Sequence, residues 1–274
     1  MPGIHELPHF YPQDYWWSDS PSTLSRLEDV YRRIALRDHV AFVSRTSRKV
    51  RDSHAVRLLD VGCGSATLLR LLREKGFDVL GFDQSLRAAA IGKVGGVEVK
   101  TGVRLQDGNF TDASFHVVSL FHVLEHVPDP RDLLGEVRRI LCKGGRLVLQ
   151  VPNIDSWQFR LCGVRWRGLD VPRHVINYST KTVLRLLLDS GFRIRRSRQF
   201  NIRDNAPSLA SSLFPALDPV RRRVRHREDR AESSLVTWGK HGLYLAAVAA
   251  AYPFAVMESL AGAGATVMVE AEKI

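Results

Sequence analysis

Cysteine is scarce in this chain. Cys63, Cys142 and Cys162 are the only three in 274 residues, and no two form a CxxC pair. That excludes a disulfide framework or a cysteine zinc site and makes a reducing compartment the default. Met1 to Trp17 lacks a basic stretch leading into an apolar one, so no signal peptide is expected and the location is read as cytoplasmic. Gly242–Met257 carries no charge over sixteen positions. It is shorter than the ~20 residues that cross a bilayer, and Pro253 interrupts it, so it reads as a buried or interfacial helix. Lysine is missing between Arg193 and Arg230, where eleven arginines meet four acids. Such an excess suits a solvated basic face, an acidic substrate or peripheral association with an anionic membrane. No aromatic residue interleaves Arg221–Arg230, so nucleic acid is the least favoured partner.

What the chain does have is alternation. Hydrophobic residues make up 45% of it and net charge is +11, which suits one large α/β domain with an appendage. Residues 1–23 pack five aromatics into Phe10–Trp17, an arm that would serve as core filler or as a lid. Residues 24–49 repeat apolar positions at helical spacing. Strands are expected at Val56–Val61, Asp78–Phe82, Val97–Leu105, Phe115–Phe121, Arg146–Val151, Phe192–Phe200 and Ala265–Ala271. Helices are expected at Thr67–Lys75, Ser85–Ile91, Pro130–Leu141 and Ser179–Ser190, with Lys143-Gly144-Gly145 as a turn. Alternating strands and helices imply a doubly wound parallel sheet, whose ligands sit beyond the carboxyl ends of the strands. Asp60, Asp83 and Phe121–His126 all fall at such ends.

The stretch Leu58–Ala66 organises the rest. An apolar run ends in an acid, two glycines follow at spacing two, and a helix begins at once. Backbone amides stay reachable beside glycine, so a nucleotide-like cofactor can lie against this turn. The dinucleotide spacing GxGxxG fails at Thr67. The pattern that fits is Asp60-x-Gly62-x-Gly64-x-Ala66, which resembles the first motif of class I S-adenosylmethionine (SAM) methyltransferases with alanine in place of the last glycine. The resemblance continues through Phe115–Pro130 with its LEHVPDP ending, through Leu141-Cys-Lys-Gly-Gly, and through Asp170-Val-Pro-Arg-His-Val-Ile-Asn-Tyr-Ser, similar to a DxPRHxxxFS segment of small-molecule methyltransferases.

The resemblance implies an α/β, Rossmann-like doubly wound sheet of seven strands in the order 3-2-1-4-5-7-6, the last antiparallel. A helical N-terminal arm (1–53) precedes a core (54–200). An Arg-rich and apolar helical insertion (201–262) follows, and residues 263–274 return the final strand. It implies a methyltransferase using SAM, bound by Asp60, Gly62, Cys63, Gly64, Asp83, Gln84, Phe121 and His122. Asp60 would face the ligand's ammonium group, and Asp83, 23 residues on, the ribose hydroxyls. Two departures stand out. His116 replaces a usual aspartate, and the adenine-side acid has only Asp107, or Gly108-Asn109, as candidates.

Methyl transfer to a hydroxyl needs alignment and a base, and histidine suits that role. His126 and His174 are the expected catalytic residues, with Glu125 as an orienting group. His122-Val-Leu-Glu125-His126 formally matches an HxxEH pattern, but it lies where a strand turns into a loop. Ubiquinone-type O-methyltransferases resemble the segment with ExxEH and a divalent cation. Here His122 stands at the first glutamate, which weakens a site for a hard ion, so no metal ligand is assigned. The expected function is therefore methylation of a small-molecule acceptor, at a hydroxyl oxygen. N- or C-methylation of a secondary metabolite or lipid-linked precursor, and a non-catalytic SAM-binding protein, are the alternatives. The acceptor and the oligomeric state are not legible.

Overall fold

The computed structural model describes residues 33–47, 55–225 and 234–274. The aromatic arm expected over residues 1–23 lies outside the described residues. Seven strands form one sheet: β1 (Arg57–Val61), β2 (Asp78–Asp83), β3 (Val99–Thr101), β4 (Phe115–Phe121), β5 (Leu141–Pro152), β6 (Phe192–Arg198) and β7 (Thr266–Lys273). Their order is β3-β2-β1-β4-β5-β7-β6. The first five run parallel, and β7 lies antiparallel between β5 and β6.

The alternation of each strand divides the core in two. Leu59, Val61, Val118, Leu120, Leu147 and Leu149 pack beneath helices Pro130–Ile140 and Thr180–Asp189. Their neighbours Leu58, Val117, Val148 and Met268 face the opposite way, toward Arg37–Ser47 and Thr67–Arg73. Period-two side chains on a sheet covered on both faces produce this split, which is why the strands read as continuous apolar runs. Helix starts follow local chemistry. The Asp129 carboxylate accepts from the amides of Arg131 and Asp132, each at 3.1 Å, ahead of Pro130. Ser179 Oγ accepts from Thr182 N at 3.1 Å.

Two elements differ from expectation. The strand expected over Val97–Leu105 shrinks to Val99–Thr101, because a 3-10 turn takes Leu105–Gly108. The Lys143-Gly144-Gly145 turn lies inside β5, where Leu141 already pairs with Phe115 and pairing resumes at Arg146 opposite Val117. Gly144, at φ +71°, supplies the irregularity without a Cβ clash. His116 sits at the amino end of β4, where its Nδ1 accepts from Arg57 N at 3.0 Å. This departure from the family pattern lies at the end of the sheet opposite the cleft.

The basic stretch is partly absorbed by the fold. Glu270 on β7 is buried, with Arg196 Nη2 at 3.0 Å and Arg146 Nε at 4.0 Å. Glu272 pairs with Arg146 and Arg195, and Arg198 pairs with Asp38 at 3.0 Å. The Arg196 guanidinium also lies 3.7 Å from the Phe42 ring centroid, tying helix Arg37–Ser47 to the sheet edge. Residues 201–262 form helices Asn205–Leu213, Pro219–Arg225 and Ser234–Leu260. They have a small core of their own around Ala206, Leu209, Ala251 and Ala255.

Removing one partner of a buried pair leaves the other charge uncompensated. Glu270→Ala is therefore expected to lower unfolding free energy by about 3 kcal/mol in urea denaturation, whereas Arg185→Ala, in an exposed pair with Asp189, should change it by less than about 1 kcal/mol.

Candidate active site at the carboxyl ends of β1, β2 and β4

The turn after β1 is shaped by positive φ at three alternate positions, Gly62 (+71°), Gly64 (+50°) and Ala66 (+53°). A Cβ at Gly62 would lie 2.5 Å from Val123 Cγ2, so the turn and the loop after β4 touch there. A Cβ at Gly64 would meet nothing within 4 Å. The first glycine is thus required by packing, and the second leaves open space against bare backbone. Ala66 takes the left-handed conformation despite its side chain, at a cost of about 1 kcal/mol. Its methyl is buried in the core, which offsets part of that cost.

Asp83 closes the turn. Its Oδ2 accepts from Gly64 N and its Oδ1 from Ser85 N, both at 2.9 Å. One carboxylate thus fixes the glycine turn and starts the next helix, and burial raises its pKa above the usual range. Asp60 is buried beneath the turn and accepts from Ser119 Oγ at 2.6 Å. Burial pushes its pKa up to about 7, with the nearby Asp83 adding to the effect and the Ser119 bond opposing it. The charge of Arg203 also opposes the shift, though among the described residues Asp60 forms no ion pair. A buried carboxylate under an open turn fits a cationic ligand, as SAM requires. Cys63 packs inward with a thiol pushed up by burial, and the Gln84 side chain is exposed at the rim. Asp107 Oδ2 accepts from Val103 N (2.9 Å) and Arg104 N (2.8 Å), so this adenine-side candidate is engaged in shaping its own turn.

After β4 the chain passes through Phe121 to His122, which holds φ +57°. The backbone bond from His122 N to Gln150 O (3.0 Å) holds it there. The His122 ring lies between two carboxylates. Nδ1 is 3.1 Å from Glu125 Oε1, and Nε2 is 3.3 Å from Asp204 Oδ2. Burial disfavours its charge, but the two carboxylates overcome that and raise its pKa to about 9. Gln150 Nε2 donates to Asp204 Oδ2 at 2.6 Å. The half-buried His122 imidazole therefore faces the insertion, where the two carboxylates favour its charged form, and what it offers the glycine turn is its backbone.

Glu125 is buried beneath two further imidazoles. Burial alone would raise its pKa, but the His122 bond and the neighbouring histidines bring it below the usual range. His126 Nδ1 donates to Arg173 O (2.9 Å) and His174 Nδ1 to Gly168 O (2.7 Å). Because a carbonyl only accepts, Nε2 carries the lone pair in each neutral ring. The rings meet edge to face at 4.7 Å. Glu125, His126 and His174 each present one ligand atom, all within 4.8 Å of one another. Glu125 Oε2 has no hydrogen-bond partner among the described residues. His174 is pushed down to about 4, chiefly by burial, and stays neutral near neutral pH. Backbone bonds from Val175 N and Ile176 N to Glu125 O (2.9 and 3.2 Å) clamp the segment over the loop. The fold thus brings together two segments nearly 50 residues apart, which no spacing rule could show.

Ser119, Gln150 and Asp204 escaped the sequence reading. Ser119 and Gln150 are polar residues with an apolar neighbour on each side in their strands, a signal of a buried polar role. Asp204 lies in the insertion with no motif around it. Trp166 is 2% exposed and packs in the core, while Trp157 packs near Phe254 with ring centroids 6.2 Å apart.

Residues 27–197 match the family model described as a methyltransferase domain. The chain is 28% identical over 140 residues to the ubiquinone biosynthesis O-methyltransferase of Paraburkholderia phymatum, covering 47% of this chain and 60% of that protein. The match thus spans less than two thirds of this curated relative. Among solved structures, the [4+2]-cyclase SpnF superposes with a TM-score of 0.56 at 22% identity, over 94% of this chain and 85% of that one. A SAM-dependent methyltransferase from Archaeoglobus fulgidus gives 0.52 at 17% identity, over 89% and 99%. At those identities the structures establish the fold, which is that of the class I SAM-dependent methyltransferases.

Two predictions follow from the turn. Gly64→Ala should cost about 1 kcal/mol of stability through its backbone conformation yet weaken SAM binding at least tenfold in calorimetry, whereas Gly62→Ala should destabilise more because its Cβ strikes Val123. Asp60 ionises with difficulty in the fold, so its charge lowers stability progressively as pH rises from about 4 to about 7. Asp60→Asn should therefore raise the ligand-free Tm at pH 8 by the equivalent of up to about 4 kcal/mol, with no gain below about pH 4, and should lose affinity for SAM.

Proposed function

This chain belongs to the methyltransferase-domain family, and we propose that it transfers the methyl group of SAM to a hydroxyl oxygen of a small-molecule acceptor. The observation that carries this reading is the His126–His174 pair over buried Glu125, on the loop whose Val123 packs against Gly62. The similarity to O-methyltransferases of ubiquinone biosynthesis supports the same reaction class.

SAM, when bound, supplies a methyl on a positively charged sulfur and needs no further activation. The protein supplies position and a proton acceptor. Asp60 and the open backbone surface of the glycine turn would hold the methionine end, and Asp83 and Gln84 the ribose side. Phe121 and the His122 backbone line the turn from β4. His126 takes the acceptor's proton on Nε2 while its Nδ1–H stays fixed on Arg173 O. The imidazolium formed there is balanced by Glu125, kept ionised from below by His122. His174, neutral and held on Gly168 O, orients the acceptor. A proton acceptor positioned this way is worth about 100- to 10,000-fold.

A second reading rests on the cluster of Glu125, His126 and His174. Those three groups would hold a divalent cation, which would lower the acceptor hydroxyl's pKa as a Lewis acid. Dialysis against a chelator separates the two readings: unchanged turnover favours the histidine base, and loss restored by added magnesium or zinc favours the metal.

Calorimetry with SAM and S-adenosylhomocysteine, followed by methyl-labelled SAM with panels of phenols and amines, tests the proposal. Labelled ethers as products support it. Labelled amines, or no binding by folded protein, overturn it. His126→Ala is expected to lower kcat by at least about 100-fold while leaving SAM affinity within about twofold of wild type.

A further inference from the structure

Helix Ser234–Leu260 has 27 residues, a length of about 40 Å. One face belongs to the fold. Ala251, Ala255 and Glu258 are buried, Glu258 Oε1 accepts from Gln158 Nε2 at 2.6 Å, and the Tyr244 hydroxyl meets Ser211 Oγ at 3.1 Å. The opposite face is exposed along the helix from residue 238 to 260. It presents Trp238, Leu243, Leu245, Val256, Met257 and Leu260, which are 41–84% exposed. The exposed positions between them are glycine, alanine or proline. No charged side chain interrupts it. The next helix adds Leu213 and, just beyond its end, Phe214, each 50% exposed. Surfaces of this size and uniformity are rare on proteins that meet only water.

Charge decides what covers it. Between Arg221 and Arg230, just before this helix, the sequence has six arginines and two acids, and Arg221 is exposed. Helix Trp157–Cys162, bonded to the long helix through Gln158 and Glu258, and the turn after it expose Leu161 (61%) and Val164 (90%) beside exposed Arg160 and Arg165. An apolar face with arginine on the neighbouring segments matches the acyl boundary and headgroups of an anionic bilayer. The helix is long and apolar enough to cross a membrane, but its polar inner face is committed to the protein.

We propose that the outer face of Ser234–Leu260 docks this protein, lying flat, on an anionic lipid surface. Asp204, at the start of helix Asn205–Leu213, bonds into the His122 network. The docking layer is therefore one short helix from the candidate active site, and an acceptor with an apolar tail would have a short path between them. The docking itself does not rest on which acceptor is methylated.

Flotation of the full chain with vesicles of phosphatidylcholine alone and of phosphatidylcholine with phosphatidylglycerol tests this. The expected result is flotation with the anionic vesicles alone, weakened by salt. Leu243→Glu combined with Met257→Glu, both on the exposed face, should reduce partitioning at least about tenfold with an unchanged circular dichroism spectrum. Tryptophan emission of the unaltered protein should shift to the blue on adding anionic vesicles, a readout independent of the variant. Flotation with neither vesicle, or equally with both, would overturn the proposal. So would a dimer in sedimentation equilibrium that the double variant dissociates while lipid binding is absent.

Discussion

The Asp83 carboxylate, shared between Gly64 N–H and Ser85 N–H at 2.9 Å each, is the joint of this molecule. It ties the turn after β1 to the end of β2 and so fixes the shape of the open side of the cleft. That arrangement requires the glycine turn to bring its amides around, which in turn requires left-handed backbone at Gly62, Gly64 and Ala66. The sheet order sets the rest. β1 lies between β2 and β4, so the reversal of strand order opens a crevice where Asp60, Asp83 and Phe121 converge. Holding two carboxylates in a buried site is unfavourable in the absence of a cation. The raised pKa values of Asp60 and Asp83, set mainly by burial, express that cost, and a bound cation would relieve it.

A second charge network faces the first across β4. His122 lies between Glu125 and Asp204, joining the strand end, the loop and the insertion. It favours the ionised form of Glu125, which lies beneath His126 and His174. The left-handed backbone at His122 is the strain that makes this possible, held by the bond to Gln150 O. The glycine turn and the histidine cluster thus meet at the end of one strand.

The arginine excess shows how charge counting and structure part. Between Arg193 and Arg198 the positive side chains stand on an edge strand, where Glu270, Glu272 and Asp38 pair with Arg195, Arg196 and Arg198. Those arginines serve the fold. The exposed Arg160, Arg165 and Arg221 are surface groups on or next to the insertion helices. The run of uncharged residues in Gly242–Met257 forms a helix with one face in the protein and one outside it. Small residues spread around the whole helix hide this division from any sequence pattern.

The sequence by itself determined the sheet, the glycine turn and the two aspartates, because these depend on local rules. Apolar runs of fixed period make strands, glycine permits positive φ, and an acid at a strand's end meets whatever binds there. It also named His126 and His174 but could not join them. Only the tertiary structure decided that Arg173 O and Gly168 O fix their tautomers and that Glu125 lies beneath both. It alone showed that Asp204 reaches His122 from an insertion without a motif. Those facts depend on which segments the sheet order brings together in space, and separation along the chain carries no information about that distance.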